Sequence, residues 1–106
     1  MIYTVTFNPA LDYVMKVEKL QFDDINRTYG EELNYGGKGI NVSVILSRLG
    51  VENTALGFQA GFTGEKLEEL LKADGIKTDF IALKNGMTRI NVKIKAQTEL
   101  DINAVG

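Results

Sequence analysis

The residue types best suited to chemistry are concentrated in one short run, Gly36-Gly37-Lys38-Gly39-Ile40-Asn41. Glycines at that density let a backbone approach a bound group closely, and a helix beginning there would offer free N–H groups to an oxyanion. Lys38 adds a cation beside them. The run is not a Walker A loop, because Gly39 stands where that loop needs Ser or Thr, and it is not a dinucleotide fingerprint, because Val42 replaces its final glycine. Gly36-x-x-Gly39 followed by Val42 does imitate the GXXG loop of a KH nucleic-acid-binding domain. Such domains place a helix before the loop, however, and Glu31 to Tyr35 beside Gly30 makes a poor one. From the run alone, a ligand-cradling loop and a plain glycine-rich entry to a helix are equally open.

Three charged residues are candidates for polar recognition. Asp12 follows Asn8-Pro9 after the first apolar run, and the carboxyl ends of strands are where open α/β sheets bind ligands. A carboxylate there could accept hydrogen bonds from sugar hydroxyls, or serve only as a turn aspartate. Arg27 and Arg89 lie in alternating stretches, and either could clamp a phosphate bidentately or sit solvated on a strand. Gly57, Gly61 and Gly64 are better suited to shaping a turn before a helix than to touching a ligand.

The elements that must position these residues follow two interleaved rhythms. Met1 to Phe7 reads as a strand stopped by Asn8-Pro9. Val42, Ile45, Leu46 and Leu49 recur at helical spacing and predict the buried face of a helix, with Gly50 placed to close it. Val51 to Phe58 reads as a strand. A second helix is expected near Thr63, capped by that residue and stapled by Phe62 against Leu67, with Leu67, Leu70 and Leu71 inward and Gly75 at its end. Asp79 to Leu83 is a further strand, and the order β-α-β-α-β predicts a parallel sheet. Residues 13–17, 26–33, 89–95 and 98–104 alternate without helices of their own, and the Ala96-Gln97 step suggests a hairpin. They predict a second, antiparallel sheet interrupting the first, and two helices cannot cover both faces of an α/β sheet.

Composition narrows the function classes. The chain has 106 residues, no cysteine, no histidine and a formal net charge of −2. A disulfide framework and thiolate or imidazole metal sites are excluded, and the commonest general base is missing. The acidic balance argues against a nucleic-acid partner. Neither a membrane span nor a signal peptide is visible, so a soluble cytoplasmic protein is the default expectation.

Thr6-Phe7-Asn8-Pro9-Ala10-Leu11-Asp12, Asn26-Arg27-Thr28, Gly36 to Ser43, Gly57-Phe58, Gly61 to Gly64 and Thr88 to Lys93 together resemble the opening of the PfkB/ribokinase group of phosphosugar kinases. The wording is nearest to the 1-phosphofructokinase branch, with the tagatose-6-phosphate kinase branch second. The resemblance implies an α/β fold, an incomplete Rossmann-like sheet with an inserted antiparallel β-sheet lid. On this reading residues 1–12 and 36–87 begin the core, and residues 13–35 and 88–106 form the lid.

The same resemblance implies roles. Asp12 and Asn41 would hold sugar hydroxyls, and the backbone at Gly36 and Gly37 would line the pocket. Arg89, with Arg27, would hold the phosphate already on the sugar, and Lys38 would face the sugar or the transferring phosphoryl group. The substrate would be a sugar phosphate and MgATP the phosphoryl donor in the complete enzyme. The lid would pair two copies into a homodimer, with Arg27 able to serve the neighbouring site. The group's catalytic aspartate belongs to a Gly-Ala-Gly-Asp motif that this sequence does not contain. The chain is therefore expected to be the N-terminal, sugar-binding part of such a kinase, inactive and without bound nucleotide on its own. A non-catalytic module that binds sugar phosphate or pairs through the lid is the alternative.

Overall fold

The computed structural model describes all 106 residues. Its elements run β1 (Ile2–Thr6), β2 (Ala10–Lys16), β3 (Gly30–Gly36), α1 (Lys38–Arg48), β4 (Asn53–Ala60), α2 (Gly61–Ala73), β5 (Thr78–Leu83), β6 (Arg89–Lys95) and β7 (Glu99–Ile102). They form two sheets, β1-β4-β5 and β3-β2-β6-β7.

The first sheet is parallel throughout, as the alternation of strands and helices predicts. Its strand order advances in one direction, so right-handed crossovers place α1 and α2 on the same face. Beneath them lie Ile40, Ala55, Leu67, Leu71 and Ile76, joined by Leu11 from the second sheet. The opposite face carries no helix. Tyr3, Val5, Phe7 and Ile81 are exposed on it, and Phe7 stacks on Phe58 with ring centroids 6.1 Å apart.

Helix α1 turns the other way from the periodicity. Ile40 and Ser43 are fully buried, whereas Val42, Ile45 and Leu49 are 48%, 56% and 72% exposed. The cause is the closeness of β1. Thr4 and Ser43 share a hydrogen bond between their hydroxyls, and the Ile40 N–H donates to Thr6 Oγ1 at 3.0 Å. The close approach is made at Gly39 and Ser43, where a β-carbon on Gly39 would collide with Thr6 and the Val5 carbonyl, so Ile40 turns inward and the Val42–Ile45–Leu49 stripe faces away. Gly50 and Gly75 follow the two helices with positive φ, as expected of C-terminal caps.

Helix α2 begins at Gly61, two residues before the expected cap. Thr63 does not cap it: its hydroxyl donates to the Thr88 carbonyl at 2.7 Å. Phe62 is 74% exposed and forms no staple, while Leu67 and Leu71 are buried as expected.

The second sheet is mixed rather than antiparallel. β2 pairs antiparallel with β3, and β6 with β7 through the expected hairpin, but the central pair β2–β6 is parallel. Both strands leave the carboxyl end of the first sheet in the same direction, and β3, α1, β4, α2 and β5 lie between them in the chain. Parallel neighbours need a long crossover of this kind. The change of sheet falls at Phe7–Pro9, so Asp12 belongs to β2 and the second sheet rather than to the core segment 1–12. β3 starts at Gly30 instead of Asn26 and continues to Gly36, which is a strand residue and not a loop glycine.

Candidate functional site

The junction between the sheets assembles the site. Ala10 is paired with Gly36 on one side and Arg89 on the other, and Asp12 with Asn34 and Asn91. Alternation along the strands puts Asp12, Arg89, Asn91 and Lys93 on one face, opposite Leu11, Ile90 and Val92. That polar face meets the N-terminus of α1 where β3 ends.

Gly36 and Gly37 have separate structural reasons to be glycine. A β-carbon at Gly36 would lie 2.8 Å from Asp12 Oδ2. Gly37 is the N-cap of α1 with φ 135°, a backbone state that side chains other than hydrogen rarely tolerate. The first turn is closed by the Asn41 N–H donating to the Gly37 carbonyl at 2.9 Å. Lys38 and Asn41 are exposed in that turn. No N-cap side chain closes α1, and with the Ile40 N–H taken by Thr6 Oγ1 the N–H groups of Lys38 and Gly39 are the ones left to a ligand.

Asp12 is enclosed, with a side chain 16% exposed. Its Oδ1 accepts from Asn91 Nδ2 at 3.1 Å, and Lys93 Nζ stands 3.9 Å from Oδ2. Arg89 is half-buried, and its Nε is shut away from solvent without any hydrogen-bond partner. A guanidinium donor left unpaired is costly, and a shift of the side chain that brought it to an anion would relieve that cost. The segment after β7 runs back across this end of the sheet. Ala104 N–H donates to Asn91 Oδ1 at 3.1 Å, Asn8 Nδ2 donates to the Val105 carbonyl at 3.0 Å, and Gly106 lies against Asn8 and Arg89.

Of the residues expected to act together, Asp12, Gly36, Gly37, Lys38, Asn41 and Arg89 gather at this junction. Arg27 does not join them. It is exposed in the turn joining β2 to β3, at the far end of the second sheet from Asp12. Asn26, its neighbour, is spent on the turn itself: it accepts from Gln21 N–H and donates to the Gln21 carbonyl.

Asn91 and Lys93 carry no expectation from the sequence beyond their place in a motif. The available signal was alternation, since both follow Arg89 at steps of two on the same strand face. Thr88 likewise carries no signal of its role in the sequence. Its hydroxyl receives the Ala60 N–H and its N–H donates to the Ala60 carbonyl, which stitches β6 to the start of α2. No group of three or more acidic, thiol or imidazole side chains comes together to hold a metal ion, and no helix is long and apolar enough to cross a membrane.

Relatives share both the sequence and this layout. The chain is 47% identical to the 1-phosphofructokinase of Bacillus subtilis over all of its own length and 35% of that protein's. It is 45% identical to the D-tagatose-1-phosphate kinase of Bacillus licheniformis, covering 96% of this chain and 33% of the relative. The crystal structure of phosphofructokinase-2 from Escherichia coli in complex with substrates and products superposes with a TM-score of 0.86 at 28% identity, covering 94% of this chain and 33% of that one. The chain thus spans about a third of the length of the relatives it matches. The pfkB carbohydrate kinase family profile matches residues 5–106, both sheets and the junction between them included, and the chain belongs to that family.

Proposed function

We propose that the chain supplies the sugar-phosphate-binding part of an ATP-dependent phosphosugar kinase whose substrate is fructose 1-phosphate, with tagatose 6-phosphate the second choice. The observation that carries this reading is the unpaired Arg89 Nε on the same strand face as the Asp12 carboxylate. One group suits a phosphate, the other the hydroxyls of a sugar bearing it. Two relatives are named for kinases of ketose 1-phosphates, which favours the 1-phosphate over the 6-phosphate.

Asp12 and Asn41 hold sugar hydroxyls, the Gly36–Gly37 backbone forms the pocket wall, and Arg89 clamps the substrate's phosphate. Lys38 and the free N–H groups of α1 add positive potential next to the sugar. MgATP supplies the phosphoryl group. Phosphoryl transfer depends mainly on positioning and charge stabilisation, and this chain contributes the sugar's position. The base that takes the proton from the attacking hydroxyl, and the groups that hold nucleotide and magnesium, come from outside these residues.

Two copies pair through the second sheet in the cytoplasm. Arg27, remote from its own Asp12 and exposed, is then free to serve a neighbouring copy's site. Support comes from the exposed apolar positions Leu100 and Ile102 on that sheet.

The test joins residues 1–106 to the remainder of the Bacillus subtilis 1-phosphofructokinase and supplies MgATP with each phosphosugar. Turnover is expected with fructose 1-phosphate and weaker turnover with tagatose 6-phosphate. The 106-residue chain alone is expected to give no product above the enzyme-free control. A folded chimera that phosphorylates neither sugar would contradict the proposal.

A further inference from the structure

Asn91 is 8% exposed and sits at the centre of the junction, where each of its two polar atoms is engaged by one group. Its Nδ2 donates to Asp12 Oδ1, and its Oδ1 accepts from the Ala104 N–H, each at 3.1 Å. These partners fix the amide's orientation: a carboxylate can only accept and a backbone N–H can only donate, so the flipped amide would lose both bonds. Pairing of β2 with β6 puts Asn91 directly beside Asp12 in the sheet, so the contact is set by backbone register rather than by a flexible loop.

We propose that Asn91 is the positioning residue of the sugar site, holding the Asp12 carboxylate in its binding orientation while fastening the return segment 103–106 across the same end of the sheet. With one carboxylate oxygen held by Asn91, the other is left between Gly36 and Lys93, facing the pocket wall. The return segment is the other half of the arrangement. Past Ala104 it touches Asn8 and Arg89, so the side chain that orients the hydroxyl-binding group also places the backbone flanking the phosphate-binding one. This rests on the sugar-phosphate reading above.

Asn91→Asp separates the two halves. The new carboxylate can still accept from Ala104 N–H, but it cannot donate to Asp12 and sets like charges side by side. In the chimeric kinase, KM for fructose 1-phosphate should rise about tenfold with kcat changed far less, as loss of ground-state positioning implies. KM for ATP should stay at the parent value. In the 106-residue chain, hydrogen exchange at the Ala104 amide should remain protected in Asn91→Asp and become fast in Asn91→Ala.

If Asn91→Asp fails to fold, the parent chain and Asp12→Ala provide the reading. The Asn91 side-chain NH2 should be protected in the parent and released in Asp12→Ala, with Ala104 still protected. Asp12→Ala in the chimera separates the two claims. If it raises the sugar KM while Asn91→Asp does not, the positioning role is wrong and the sugar site stands. If neither changes the sugar KM, the sugar-site reading falls and this inference with it. Equal losses for sugar and ATP in Asn91→Asp would mean a general structural role and would also overturn it.

Discussion

Gly36 and Asp12 meet across the β2–β3 pair so closely that a single methyl group on Gly36 would come within 2.8 Å of Asp12 Oδ2 and 3.2 Å of Oδ1. The strand itself does not require this glycine. Gly36 has no positive φ, and alanine there should by backbone preference be neutral or stabilising by about 0.5–1 kcal/mol. Gly36→Ala should therefore strike the carboxylate and spare the fold. In the chimeric kinase we expect KM for the sugar phosphate to rise about tenfold while the thermal midpoint moves by only a few degrees. An unchanged sugar KM would mean that Asp12 is free to swing away without consequence.

The second sheet is also tied to the core behind the site. The Tyr35 hydroxyl, one residue before Gly36, donates to Asp74 Oδ2 at 2.8 Å, just past the end of α2. Burial first, and then this bond to a carboxylate, raise the Tyr35 pKa above its ordinary value. The folded state thus holds the phenol's proton more tightly than the unfolded chain. The resulting stabilisation is present in full below pH of about 10 and disappears as pH climbs through the raised value. Tyr35→Phe should lower stability at neutral pH by about 0.5–1 kcal/mol, the low end for a hydrogen bond because the site is open to water. Urea titrations at neutral and alkaline pH provide the check. The gap between parent and variant should close at high pH, and a constant gap would show that the hydroxyl is not the source.

Much of this architecture is legible in the residues, and the rest is hidden for physical reasons. Alternation finds Arg89 opposite Ile90 and Val92, and the glycine run finds the start of α1. Periodicity finds the wrong face of α1, because Val42, Ile45 and Leu49 make a stronger apolar stripe than Ile40 and Ser43. The positions that touch Thr4 and Thr6 are Ser43 and Gly39, and small residues carry little hydrophobic signal. The parallel pairing of β2 with β6 joins residues 79 positions apart, as Asp12 and Asn91 are, and local pattern does not reach that far. Asn91 could have been found from its spacing to Arg89, but its role needs the partner strand. Arg27 shows the converse: its residue type suits phosphate, and the topology holds it at the wrong end of the sheet for its own Asp12.

The non-polar face of the second sheet makes a prediction about association. Tyr13, Val92 and Ile102 lie side by side in register, and Met15, Ile94 and Leu100 form the next row. Leu100 and Ile102 are 40% and 56% exposed, and the helices pack against β2 and β3 of this sheet rather than β6 and β7. Light scattering on the 106-residue chain should show a dimer or larger species, and Val92→Lys should reduce it. A clean monomer at high concentration would remove this face from consideration as a pairing surface.

Arg89 tests the central claim most directly, since its guanidinium, with an unpaired Nε, shares a strand face with the Asp12 carboxylate. As a plain strand residue, its truncation should change stability by no more than about 0.5 kcal/mol and leave substrate kinetics alone. As the clamp on the substrate's phosphate, it makes charge-assisted hydrogen bonds worth roughly 1.5–3 kcal/mol. The measurement is kcat/KM for fructose 1-phosphate in the chimeric kinase, parent against Arg89→Ala, with KM for ATP and the unfolding midpoint followed in parallel. We predict a fall of about one to two orders of magnitude for the sugar phosphate, with ATP affinity and midpoint close to the parent's. Unchanged sugar kinetics in a folded variant would contradict the assignment of this junction as a sugar-phosphate site.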